Sequence, residues 1–199
     1  MGKGRLEAFS DGVMAIIITI MVLELKVPEG EHLADIHRLL PKFVSYILSF
    51  LYAGIYWNNH HHLFQVVNKV TGGVLWANLH LLFWLSLTPF TTGWMGENHF
   101  AELPVALYGV VLLGCAIAYY ILTRALLAYH PKDSALARAL GCDFKGKISI
   151  FIYAAAIGLT FVSPPIGVAL YFLVALIWLV PDRRVERIVA EGPAEKEGH

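Results

Sequence analysis

Charge is scarce in this chain. Only 15% of its 199 residues are Asp, Glu, Lys or Arg, and the two signs cancel to a formal net charge of zero. A soluble domain carries about 25%. Without a basic excess there is no electrostatic footprint for nucleic acid. Cysteine is nearly missing as well. Cys115 and Cys142 lack metal-type spacing, and Cys115 sits in an apolar run where it reads as a small buried hydrophobe. The two say little about redox compartment. No Ser-His-Asp, paired-carboxylate or Gly-rich phosphate pattern stands out, and no motif recurs as an internal repeat.

Apolar residues take up the difference. They make up 57% of the chain, above the roughly 45–50% of soluble domains, and they gather into long segments. The first runs from Leu6 to Leu25, the second from Phe43 to Phe64, the third from Val70 to Met95 and the fourth from Leu103 to Leu127. A last uncharged stretch extends from Ile148 to Pro181. As one helix it would be about 50 Å long, against a hydrocarbon core of about 30 Å. Ser163-Pro164-Pro165 lies in its middle, so two spans in a tight hairpin fit better. The expectation is an all-α integral membrane protein of six spans, with a membrane domain over 1–182 and a short charged tail over 183–199.

Loop charges orient it. Six spans put Lys3, Arg5, Lys69, Arg124, Lys132, Arg138, Lys145, Lys147, Arg183, Arg184, Arg187 and Lys196 on one side, and Lys26, Arg38 and Lys42 on the other. Twelve against three predicts both termini in the cytoplasm. Trp57, Trp76, Trp94 and Trp178 fall near span ends, where indole rings suit the headgroup level, whereas Trp84 falls mid-span and is expected between helices. A signal peptide is not expected, because Glu7 and Asp11 interrupt the start and Glu24-Leu25-Lys26 offers no cleavage site. Leu6 at the sixth position argues against myristoylation.

The first segment is the unusual one. Gly12 to Leu23 is too short for a lipid-exposed span, and extending it back to Leu6 brings Asp11 into the membrane region. A carboxylate there costs at least about 2.5–3.5 kcal/mol unless it faces protein or water. This helix is therefore expected inside an assembly, with Arg5 or a histidine of a neighbouring helix as partner for Asp11. Ile16, Ile20 and Leu23 recur at i, i+4 and i+7 with Thr19 beside them. In an ordinary bundle such a stripe is packed core. Because Ala15-Ile16-Ile17-Ile18-Thr19-Ile20 is apolar and β-branched almost throughout, periodicity does not single out one face.

Arg5-Leu6-Glu7-Ala8-Phe9-Ser10-Asp11 has the form R-x-x-x-F-S-D, and Trp57-Asn58-Asn59-His60-His61-His62-Leu63-Phe64 has the form W-x-N-H-H-x-L-F. Both resemble signatures of the transmembrane protein 175 family, the potassium channels of lysosomes and many prokaryotes. The resemblance departs at His62, where prokaryotic relatives often carry Arg. It implies a potassium-preferring cation channel in a prokaryotic cell membrane, with first helices lining a central pore and no cofactor beyond the permeant potassium ion. Lysosomal relatives hold two six-span repeats; one F-S-D motif here implies a homotetramer. By resemblance the narrowest apolar ring falls on Ile16, further rings on Ile20 and Leu23, and the hydroxyl layer tied to cation preference on Thr19. In agreement, the chain has no T-V-G-Y-G filter. Arg5, Ser10, Asp11, Asn59, His60, His61, Asn78, His80 and Trp84 are expected to form a polar network bracing the helices, beside the motif residue Phe9.

Two other classes compete. Di-iron membrane enzymes use spaced histidine clusters, but adjacent His60, His61 and His62 point about 100° apart on a helix and do not converge on one metal. A haem between His80 and one of that triplet is the remaining enzyme reading. A six-span transporter, or a proton-linked membrane protein without channel activity, is the runner-up, although such transporters usually show internal repeats.

Overall fold

The structure is a computed structural model and describes residues 2–28, 30–65, 67, 70–129 and 144–179. The tail over 183–199, together with Lys69, Lys132, Arg138 and Cys142, lies outside the described residues. Helices α1 (Lys3–Leu23), α2 (Leu33–His37), α3 (Leu40–Gln65), α4 (Gly72–Ser86), α5 (Thr88–Glu97), α6 (Glu102–Leu127), α7 (Phe144–Thr160) and α8 (Pro164–Leu179) follow in chain order.

Most of these match the apolar segments of the sequence to within a few residues. The third segment does not run as one helix: it divides at Leu87 into α4 and α5. Pro89 stands in the first turn of α5, where it has no N–H to donate and its ring crowds the carbonyl four residues back. Nearby hydroxyls take up part of the disrupted hydrogen bonding. Thr92 Oγ1 donates to Thr88 O at 2.7 Å, and Ser86 Oγ donates to Phe83 O at 2.7 Å. The long final stretch is likewise two helices, turning at residues 161–163, with Pro164 heading α8 at a position where its missing N–H costs little.

Among the described residues, three helical stretches are long and apolar enough to cross a membrane: Lys3–Leu23, Gly72–Glu97 and Glu102–Leu127, with Pro164–Leu179 a shorter apolar helix. Helix α3 has the length, about 39 Å at 26 residues, but it carries the polar run around Asn58 to His62. Short helix α2 sits in the connection between α1 and α3, where Asp35 Oδ2 accepts from His32 N at 3.2 Å.

Helix α6 is the centre of the described helices and packs against α4, α5, α7 and α8. Val105, Tyr108, Leu112, Cys115, Leu122 and Leu126 along it are buried, as a helix with neighbours on several sides requires. Close approach of α4 depends on Gly114, because a Cβ there would fall on the indole of Trp84. In a lipid surrounding, this tight packing holds helices together where no hydrophobic force between them operates. Helix α1 lies against α3, α4 and α5.

Candidate functional site on the first helix

Leu6, Ser10, Met14, Ile17 and Met21 are the buried positions of α1, spaced by three or four and so forming one stripe. A second stripe, Arg5, Phe9, Gly12, Ile16, Ile20 and Leu23, is exposed along its whole length. Ile16 is 58% exposed, Ile20 42% and Leu23 78%. The most apolar part of α1 is 28% buried, against 56% for α6. The Ile16–Ile20–Leu23 row is therefore not packed core within the described chain, no part of which covers it. Thr19 is exposed beside this row and donates its hydroxyl proton to Ile16 O at 2.9 Å, which leaves its oxygen lone pairs facing outward.

The buried stripe carries one polar group, and its partners come from two other helices. Ser10 Oγ donates to Leu6 O (2.9 Å), so it can only accept from Asn78 Nδ2, also at 2.9 Å. Asn78 Oδ1 then faces His60 Nε2 at 2.8 Å, which makes His60 the donor and fixes its proton on Nε2. Ser10, Asn78 and His60 are all nearly inaccessible, and the three hydrogen bonds run in one direction through α3, α4 and α1. The His60 ring also packs on Phe64, with centroids 4.6 Å apart.

The other polar residues of the expected network lie apart from this trio. Asp11 is exposed and accepts from Trp57 Nε1 at 3.1 Å, so its partner is an indole and not Arg5 or a histidine. Trp57 stacks on His61, which accepts from Gln65 Nε2 at 2.9 Å. Asn59 Nδ2 turns back to Ile55 O at 2.8 Å. His80 accepts from Trp84 Nε1 at 3.0 Å, one turn along the same helix, and is half-buried. Arg5 is exposed, Phe9 likewise, and His62 is half-buried. Sequence reasoning placed Trp57 at a span end and missed its bond to Asp11; its place in the W-x-N-H-H motif was the available signal. A second buried hydroxyl group was also missed: Ser49 Oγ lies 2.6 Å from Thr92 Oγ1 and 3.0 Å from Tyr108 OH. Among the described residues no group of three or more His, Cys, Asp or Glu is placed to hold a metal ion.

The family model described as endosomal/lysosomal potassium channel TMEM175 matches residues 5–89, which include both stripes of α1 and the His60–Asn78 pair. A potassium channel of Chryseobacterium sp. (strain P1-3) is 58% identical over 191 residues, 96% of this chain and 100% of that protein. The chain belongs to the TMEM175 family. A potassium channel of Streptomyces collinus (strain DSM 40733 / Tue 365) is 34% identical over 88% of this chain and 91% of its own length. The fold is similar to the crystal structure of a lysosomal potassium-selective channel TMEM175 homologue from Chamaesiphon minutus, with a TM-score of 0.76 and 29% identity over 89% of this chain and 96% of that one. The TMEM175 family is described as one of potassium channels, not of enzymes.

Proposed function

We propose that this TMEM175 chain is one subunit of a homotetrameric, potassium-preferring cation channel in the cell membrane, with α1 lining the pore. The observation that carries this reading is the bare row of Ile16, Ile20 and Leu23 on the least buried of the long apolar helices. Fourfold closure turns each of these side chains into a ring. A narrow ring of isoleucines disfavours hydrated ions and gates by dewetting, and a small rotation of α1 widens it. Thr19, its proton committed to Ile16 O, offers lone pairs that suit a partly dehydrated cation. With no charged side chain between Gly12 and Leu23, preference among monovalent cations is modest.

The Ser10–Asn78–His60 relay supports the same reading from behind. It pins the buried stripe of α1 to α4 and α3, so the opposite row keeps one rotational setting at rest. Potassium as permeant ion rests on the names of the bacterial relatives. Six spans, cytoplasmic termini and a channel domain over 1–182 followed by a short tail complete the proposal; the basic bias of the loops supports them. The test is flux through purified protein in liposomes with potassium and sodium gradients compared. Rapid, potassium-favouring flux is expected. Slow flux that saturates with substrate would favour the transporter.

A further inference from the structure

The exposed row of α1 ends at Leu23, and the next residue, Glu24, is the first charged side chain after Asp11. Glu24 is exposed, and its side chain leans on α5. A Cβ at Gly93 would stand 3.5 Å from Glu24 Oε2 and 3.7 Å from Glu24 Cγ, so Gly93 presents bare backbone to the glutamate stem. One turn on, Gly96 gives α3 the same room, since a Cβ there would fall 2.9 Å from Lys42 Cα. The end of α1, the start of α3 and the end of α5 therefore meet at one end of the bundle.

Charge pairing at this meeting point is unequal. Lys42 Nζ donates to Glu97 Oε1 at 3.0 Å, an ion pair from α3 to α5. Glu24 lines the same crevice as Lys42 and Glu97, beside buried Met21, Ser45 and Thr92. Lys42 is spent on Glu97, and Glu24 has no ion pair among the described residues. The connections at this end hold Glu24, Glu29, Glu31, Asp35, Glu97 and Glu102 against Lys26, Arg38 and Lys42. The excess is acidic, so Glu24 is not cancelled by its surroundings. Because it is exposed, it acts on ions in solution without the desolvation that a buried carboxylate costs.

We propose that Glu24 draws cations to the outer mouth of the pore and so sets conductance and selection by charge there. This deepens the channel reading and rests on it: fourfold closure places one unpaired carboxylate per subunit next to the Leu23 ring. The row itself does not choose by sign, because Ile16, Thr19, Ile20 and Leu23 are uncharged. Rings of Asp or Glu are a means by which cation pores do so. Like charges gathered at an opening raise the local cation concentration roughly tenfold or more. Glu97 serves Glu24 at one remove: by holding Lys42 it keeps that ammonium off the neighbouring carboxylate.

Single channels in planar bilayers test this, with KCl at about 10 mM, where the Debye length is about 30 Å, and at about 1 M, where it is about 3 Å. Glu24→Gln should lower the potassium current entering from the outer mouth about threefold at low salt and leave it near wild type at high salt. Glu24→Asp, which keeps the charge, should conduct like wild type. Glu97→Gln frees Lys42 and should lower the low-salt current as Glu24→Gln does; adding Lys42→Gln should restore it. In a chain carrying Cys115→Ala and Cys142→Ser, Glu24→Cys should regain current once a sulfonate-bearing methanethiosulfonate is attached, and lose more with a trimethylammonium one. Wild-type current from Glu24→Gln at low salt, an equal loss at both salt concentrations, or the same response to both reagents would overturn the role of Glu24. Unchanged current from Glu97→Gln overturns its part alone. Should Glu24→Gln fail to fold, the cysteine variant decides, since both reagents act on assembled protein. A wild-type protein that passes no ions removes the channel reading and this inference with it. A conducting protein indifferent to the charge at position 24 removes only the inference.

Discussion

Asn78 on α4 donates a hydrogen bond to Ser10 on α1 across 2.9 Å, and both side chains are buried. The relay that runs from His60 through Asn78 to Ser10 predicts an order of damage. Asn78→Ala strands the His60 Nε2–H, and a buried donor left unpaired costs about 1–3 kcal/mol. Ser10→Ala strands only one amide hydrogen of Asn78 and should cost less, about 1 kcal/mol. Thermal unfolding of the detergent-solubilised variants checks this. Ser10→Ala proving the more damaging would mean that the relay does not run as the geometry states.

Asp11 poses a different question, because in the single subunit it is exposed with Trp57 as its partner. A carboxylate at this depth is tolerated where protein or water faces it. If another subunit covers the Asp11–Trp57 pair, Asp11→Ala and Trp57→Phe should both lower the yield of tetramer on size-exclusion chromatography while the subunit stays helical by circular dichroism. Tetramer recovered in full from both variants would show that the pair faces solvent.

Topology yields to labelling. In a chain carrying Cys115→Ala and Cys142→Ser, Glu97→Cys should react with a membrane-impermeant maleimide added outside intact cells. Lys145→Cys should react only after permeabilisation. The reverse pattern would invert the assignment from the twelve-to-three basic bias.

Much of the fold was legible because its signals are local. Apolar segments foretold α1, α3 and α6 within a few residues, and the break before α8 could be read from Pro164-Pro165, which stand inside a run too long for one span. Pro89 is the same residue type, yet the division at Leu87 was missed: the segment has a length that suits a single span, so nothing demanded a break. The candidate site was legible by chain motif more than by periodicity. In lipid a packed face and a bare face are both apolar, and the run from Ala15 to Ile20 gives no contrast between them. Burial supplies that contrast, since Met14, Ile17 and Met21 are covered and Ile16, Ile20 and Leu23 are not. Contacts such as Ser49 with Thr92 and Tyr108 join residues from three separate helices and leave no mark on local sequence.

Ile16 gives the sharpest test of the pore. If, as proposed, four copies of Ile16 ring the narrowest point of the pore, Ile16→Asn replaces an apolar constriction with amides of similar length. Wetting that constriction should raise cation flux severalfold, with tetramer yield and Tm near wild type, because the side chain is 58% exposed in the subunit and leaves no core cavity behind. If Ile16 instead packs against a neighbouring subunit away from the axis, the same change buries an amide without a partner. The assembly should then lose about 1–3 kcal/mol, with flux per tetramer unaltered. Thr19→Val is the companion. It keeps the branched shape but removes the oxygen whose proton goes to Ile16 O, so potassium preference over sodium should fall while total flux is retained. Flux ratios from paired potassium and sodium gradients measure it. An Ile16→Asn tetramer that conducts like wild type, with Thr19→Val selectivity unchanged, would place the pore on another face of the bundle.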